Sequence, residues 1–238
     1  MRYLITRPRQ DAIDMASLFE DLGHQTVLSP VMQVNCLHPT LPHAAFLHGL
    51  VITSRNALRC LEKITDLQDY HHLPLFAVGD NSAQQARDCG FTKITQGAGR
   101  ARDLVPVIKA AFVGTQRPQI YHPTGTKKAF DLAPKLAQTG IKLVEQIIYE
   151  TSPANNFTPD AIDAITSNKL DGVILMSPQS AKYFHALVRQ NQLEAKMSEI
   201  SCLCLSTNVA DALEQMPSKS KLIAREANLQ GILDLIAV

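Results

Sequence analysis

The chain has 238 residues, 45% hydrophobic and 19% charged, with a formal net charge of +1. That length holds ample core for two compact domains, and the composition is that of a globular rather than a disordered chain. The near-neutral balance excludes a broad basic footprint for nucleic acid or a membrane surface, so neither is expected as a partner and any anion site must be local.

Short apolar runs alternate with helical patterns along the chain. Strands are predicted near 3–6, 25–29, 32–37, 49–53, 74–78, 92–95, 118–121, 142–149, 172–176, 201–205 and 221–224. The windows between most of them carry apolar residues spaced near three and four. One stripe is Ile13, Ala16, Leu18, Phe19 and Leu22, and another is Leu104, Val107, Ile108, Ala111 and Phe112. Continuous apolar strands alternating with helices imply an α/β fold with parallel sheets covered on both faces. No stretch approaches the ~18 apolar residues of a membrane span, and the first apolar run is cut off by Arg7 and Pro8, too short for a signal peptide. A cytoplasmic location is expected. The five cysteines show no CxxC spacing, and Cys202 and Cys204 alternate along a predicted strand, as core thiols of a protein in a reducing compartment do.

One plan occurs twice. Tyr3-Leu4-Ile5 runs into Thr6-Arg7-Pro8, a helix, Leu22-Gly23 and a strand. Ile120-Tyr121 runs into His122-Pro123-Thr124-Gly125, a helix, Thr139-Gly140 and a strand. Likewise Val51-Ile52-Thr53-Ser54-Arg55-Asn56-Ala57 matches Ile174-Leu175-Met176-Ser177-Pro178-Gln179-Ser180. The stretch from Val78-Gly79 to Ser82-Ala83 matches Leu205 to Ala210. Each matched point is a strand end opening into a helix through small hydroxyl or amide residues. Such residues cap helices, and the first-turn N–H groups stay available to a carboxylate or phosphate. Two half-molecules of this design facing each other would line a cleft with helix starts. Two segments break the alternation, 30–37 and 144–151, each followed by proline (Pro39, Pro153), and read as connectors that pair with each other. They permit a discontinuous layout, against a tandem cut near residue 115 that the repeat alone would favour.

The usual catalytic signatures are absent: no GxGxxG, GxxxxGK[ST], HExxH or GxSxG occurs, so no metal or cofactor is expected. His71-His72 reads as a solvated loop, while His122, at a strand end, is the histidine to watch. Lys127-Lys128 opens a predicted helix, an awkward place for cations unless an anion intervenes. Tyr149 lies in a connector, where its hydroxyl is free for function as readily as for packing.

These motifs together resemble the uroporphyrinogen-III synthase family: Thr6-Arg7-Pro8, Thr53-Ser54-x-Asn56-Ala57, Val78-Gly79 with Ser82-Ala83, Tyr149-Glu150-Thr151, Ser177-Pro178 and the bend from Leu205 to Ala210. The resemblance spans the whole chain in order and spacing. It implies two parallel-sheet α/β domains joined by a two-stranded ladder with an interdomain cleft: residues 1–33 plus 152–238, residues 39–145, and a ladder of 34–38 and 146–151. It implies a cofactor-free lyase that closes hydroxymethylbilane, a linear tetrapyrrole with eight carboxylates; a monomer is expected separately, because no long apolar stripe is left over for a partner. Ring D is inverted and water is lost. Departure of the terminal hydroxyl gives an azafulvene cation, attack by the substituted carbon of ring D gives a spiro intermediate, and fragmentation with reclosure gives the type III isomer. Unassisted closure gives type I. The resemblance places Tyr149 as the group assisting hydroxyl departure. For substrate binding it points to Thr6, Arg7, Thr53, Ser54, Asn56, Gly79, Ser82, Lys127, Lys128, Ser177, Thr207 and Asn208. The chain departs from the family pattern at Ser206-Thr207-Asn208-Val209, where glycine and threonines are common, and at Thr124 to Lys128, where an arginine-bearing turn is common. Lysine neutralises carboxylates without guanidinium's bidentate geometry. Two other classes fit the same architecture: a non-catalytic two-domain anion-binding or sensor module and, with less support, a glycosyltransferase-like enzyme.

Overall fold

A computed structural model describes residues 1–236. In chain order its elements are β1 (Arg2–Ile5), α1 (Arg9–Asp21), β2 (Gln25–Leu28), β3 (Met32–Cys36), β4 (Gly49–Ile52), α2 (Arg55–Ile64), β5 (Leu75–Ala77), α3 (Asp80–Asp88), β6 (Ile94–Gln96), α4 (Leu104–Ala111) and β7 (Gln119–Gly125). There follow α5 (Ala133–Ala137), β8 (Lys142–Pro153), α6 (Pro159–Thr166), β9 (Gly172–Leu175), α7 (Pro178–Gln190), α8 (Glu194–Met197), β10 (Ser201–Cys204), α9 (Thr207–Asp211), β11 (Ser220–Ile223) and α10 (Leu229–Asp234). Two compact units result. Unit 1 is Met1–Gln33 with the chain from Ser152 onward, and unit 2 is Val34–Thr151.

Unit 1 holds a sheet of order β2-β1-β9-β10-β11, parallel throughout. Its central strands β1, β9 and β10 are buried on both faces. Along β1, Leu4 packs with Val173 and Cys202 on one side while Tyr3 and Ile5 pack with Ile174 and Leu203 on the other. The strict two-residue period of a strand produces that division. Unit 2 repeats the order as β8-β7-β4-β5-β6 and adds β3 beyond β8. Leu50 and Ile52 face one core and Val51 faces the other. The duplicated sequence plan is therefore a duplicated sheet. In both copies the strand that leads the order change (β1, β7) is followed by a helix ended by a left-handed glycine, Gly23 at φ 78° and Gly140 at φ 79°.

The strand β3 runs antiparallel to β8: the Leu37 N–H donates to Ile148 O at 2.8 Å and the Ala154 N–H to Val31 O at 2.9 Å. Cys36 of β3 is disulfide-bonded to Cys60 of α2, so the expectation of unpaired thiols holds only for Cys89, Cys202 and Cys204. Burial raises the thiols of Cys202 to about 12 and Cys204 to about 11, which keeps them inert.

Three readings of the sequence are corrected. The buried stripe of α1 is Ala12, Met15, Ala16 and Phe19, whereas Ile13, Leu18 and Leu22 are 40–55% exposed. Small alanines let the helix sit close to the sheet, and the larger residues face outward. Strand β7 runs through His122 to Gly125 instead of ending at Tyr121. Past Tyr121 it pairs with β8 alone, so the missing N–H of Pro123 is tolerated at a half-open edge. No helix begins at Lys127-Lys128; those residues lie in a loop, and α5 starts at Ala133 with Pro134 in its first turn. No helix dipole therefore favours an anion at Lys127-Lys128. No helix among the described residues is long and apolar enough to cross a membrane.

Candidate active site

In a doubly wound sheet the ligand crevice opens beyond the carboxyl ends of the strands, where the strand order reverses. In unit 2 that point lies between β7 and β4. A cavity of about 420 Å³ sits there, lined by residues of this unit only. Strand β4 delivers Thr53 and Ser54, β7 delivers His122 and Thr124, and β8 delivers Tyr149. The loop after β6 brings Arg100 and Arg102, and the loop after β7 brings Lys127, Lys128 and Phe130.

Parallel register explains the most ordered part of the wall. His122 of β7 stands opposite Glu145 of β8, so their side chains share a face. The imidazole Nδ1 lies 3.0 Å from Glu145 Oε1, and Nε2 lies 3.0 Å from Thr53 Oγ1. Glu145 Oε2 accepts from Lys128 Nζ at 2.7 Å. Burial lowers the His122 pKa below its ordinary value, against the pull of Glu145, and the bond to Glu145 raises that of Lys128. Glu145 neutralises Lys128, which leaves Lys127, Arg100 and Arg102 as the surplus cations of the cavity.

Tyr149 lies opposite Gly125 across a register shift in the β7–β8 ladder. A Cβ at Gly125 would fall 2.6 Å from Tyr149 Cζ and 2.9 Å from its hydroxyl oxygen. The ring therefore occupies the space that the glycine leaves. It is 8% exposed, yet it lines the cavity.

A family model described as "Uroporphyrinogen-III synthase HemD" matches residues 13–234. The chain belongs to the uroporphyrinogen-III synthase family. It is 24% identical over 234 residues to a uroporphyrinogen-III synthase of Chlorobaculum parvum, covering 92% of this chain and 91% of that protein. Its fold is similar to that of uroporphyrinogen-III synthetase from Helicobacter pylori 26695, with a TM-score of 0.63 at 18% identity over 100% of this chain and 99% of the other. A mutant uroporphyrinogen III synthase of the extremely thermophilic bacterium Thermus thermophilus gives a TM-score of 0.50 at 16% identity, over 100% and 97% of the two chains.

Of the residues that the resemblance to uroporphyrinogen-III synthases singles out, Thr53, Ser54, Lys127, Lys128 and Tyr149 meet in this one cavity. Ser54 also caps α2, accepting from the Asn56 N–H at 3.2 Å, so Asn56 enters through its backbone. Gly79 is the N-cap of α3, and a Cβ there would lie 3.2 Å from the Cα of Gly99; its small size lets two backbone segments approach. Ser82 is buried in the first turn of α3. The other residues lie in unit 1. Thr6 is buried and donates its hydroxyl to Ile174 O at 2.7 Å, joining β1 to β9. Arg7 pairs with Asp11 at 2.8 Å, and its Nε is buried without a hydrogen-bond partner. Ser177 caps α7 in a reciprocal box with Ser180, each backbone N–H donating to the other hydroxyl at 3.1 Å. Thr207 and Asn208 open the short helix α9 and are exposed.

Reading the sequence missed Glu145, Arg100 and Arg102. Glu145 carried a signal, since a carboxylate in the middle of a strand run (Val144 to Ile148) needs a partner. The arginines follow Gly97-x-Gly99, a turn that belongs to no recognisable motif.

Proposed function

We propose that this chain closes hydroxymethylbilane to uroporphyrinogen III with inversion of ring D and loss of water, and that the unit 2 cavity holds the reacting end of the substrate. The observation that carries this reading is the meeting of Tyr149 with surplus cations and hydroxyls at the order reversal of one sheet. Tyr149 donates its hydroxyl proton to the departing hydroxyl of the substrate, which leaves as water. The azafulvene cation so formed is the electrophile, so the protein need supply no strong acid. Lys127, Arg100 and Arg102 hold substrate carboxylates, and those carboxylates in turn lie close enough to offset the positive charge of the cation. The chain is folded so that attack through the substituted carbon of ring D precedes attack through the free one, a selection by orientation.

The reading is tested by supplying hydroxymethylbilane, oxidising the products and resolving the isomers by chromatography. Type III in large excess over type I is the expected result. Type I at the rate of the unassisted reaction would refute it.

A further inference from the structure

His122 is 1% exposed and both of its ring nitrogens are engaged. A carboxylate has no hydrogen to give, so the contact with Glu145 places the imidazole hydrogen on Nδ1. Burial keeps the ring neutral, with one hydrogen only. Nε2 is then an acceptor, and the Thr53 hydroxyl 3.0 Å away must donate to it. Thr53 consequently turns lone pairs, and no hydrogen, towards the cavity that it lines.

We propose that Glu145 and His122 are positioning residues that hold the Thr53 hydroxyl as an acceptor, and that Thr53 receives a pyrrole N–H of the substrate rather than one of its carboxylates. The inference rests on the function proposed above and assigns the part of the substrate that this wall reads. A carboxylate oxygen against Thr53 would set lone pair against lone pair. A pyrrole nitrogen in a reduced tetrapyrrole is a donor with no acceptor capacity, and it satisfies the oxygen. Division of labour within the cavity follows: Thr53 takes the ring edge, while Lys127, Arg100 and Arg102 take the acidic side chains. The charged groups that face His122 are Glu145 on β8 and Lys128 and Asp131 in the loop after β7. When acid protonates the ring, Nε2 gains a hydrogen, the Thr53 hydroxyl turns round, and the wall begins to favour anions over N–H groups.

Steady-state kinetics of isomer III formation test the assignment in Thr53→Val, Thr53→Ser, His122→Phe and the Thr53→Val/His122→Phe double variant. Loss of one hydrogen bond raises KM on the order of tenfold in Thr53→Val, with kcat much less affected, and Thr53→Ser restores it. His122→Phe raises KM severalfold, and the double variant is no worse than Thr53→Val, because both remove one interaction. The wild-type KM rises as acid protonates the buried ring, at a pH below the ordinary imidazole value of about 6.5 because burial lowers the His122 pKa, and His122→Phe lacks that limb. Mellitate, a polycarboxylate without N–H groups, inhibits His122→Phe at least as well as wild type. Additive losses, or an acid limb surviving in His122→Phe, would overturn the proposal. Nitrogen-15 spectra of His122 in the wild-type protein carry the test where a variant fails to fold: hydrogen on Nδ1 at neutral pH is expected, and hydrogen on Nε2 or a charged ring contradicts it. A wild-type protein that yields only type I would instead refute the function, leaving the tautomer result intact.

Discussion

Replacing Gly125 by alanine isolates the role of Tyr149 without touching its hydroxyl. Gly125 does not have a positive φ, so alanine meets no backbone strain and the effect is purely steric. The added Cβ would stand 2.6 Å from Tyr149 Cζ and 2.7 Å from Cε2, about 0.8 Å inside the 3.4 Å at which ordinary contact begins. The ring must swing away, because the atoms opposing it belong to the paired strands β7 and β8. Overpacking of this kind costs about 1–3 kcal/mol of stability, which a thermal melt measures. If Tyr149 delivers the proton, a displacement near 1 Å costs on the order of 10²-fold in turnover, about 2.7 kcal/mol of barrier. Tyr149→Phe removes the donor itself and costs roughly 10²–10⁴-fold. The assay is the rate of type III formation from hydroxymethylbilane, with type I measured in the same chromatogram. Gly125→Ala is expected to slow type III about a hundredfold and to let unassisted closure raise the share of type I. In the Tyr149→Phe background it is expected to add little, since the ring it displaces no longer carries a proton. A Gly125→Ala enzyme with near wild-type turnover, or one whose loss multiplies with that of Tyr149→Phe, would refute the reasoning.

Further outcomes follow from the same geometry. Lys127→Ala raises KM more than it lowers kcat, whereas Lys128→Ala also leaves Glu145 without its ion pair and costs stability; paired kinetics and melts separate the two. Because the His122 pKa is lowered in the folded state, the unfolded chain takes up a proton there more readily. The contribution of His122 is therefore present in full above the ordinary value of 6.5 and is lost as pH falls below it. Denaturant midpoints in wild type and His122→Phe between pH 5 and 8 check the sign; a wild-type curve that rises towards acid in this window, relative to the variant, contradicts it. Reducing the Cys36–Cys60 bond, whose ends are 24 residues apart in sequence, lowers stability by about 3 kcal/mol through loop entropy, measured with and without dithiothreitol.

The strands were legible because parallel strands buried on both faces read as unbroken apolar runs, as in Leu50-Val51-Ile52 and Val173-Ile174-Leu175. That the chain repeats one strand–bend–helix plan was legible through bends such as Thr53-Ser54 and Ser177-Pro178 at matched strand ends, whereas the order of the strands within each sheet was not. Strand β7 was cut short because Pro123 and Gly125 are local signals of a turn, and only the end of pairing with β4 makes them acceptable in a strand. The His122–Glu145 contact depends on register between strands 23 residues apart in sequence, which no local pattern encodes. The disulfide joins a strand to a helix across a similar gap. Hydroxyls were the least legible: at a strand end Thr6 gives its proton to Ile174 O inside the sheet, whereas Thr53 faces a cavity.

Hydrogen–deuterium exchange with and without the reduced tetrapyrrole product tests the placement of the site most directly. Protection is expected around residues 53–54, 99–102, 122–130 and 149, at the carboxyl ends of β4, β6, β7 and in β8. Protection confined instead to the amino ends of the unit 1 strands β2 and β9, around Gly23, Gln25, Lys169 and Asp171, where another cavity lies, would contradict it.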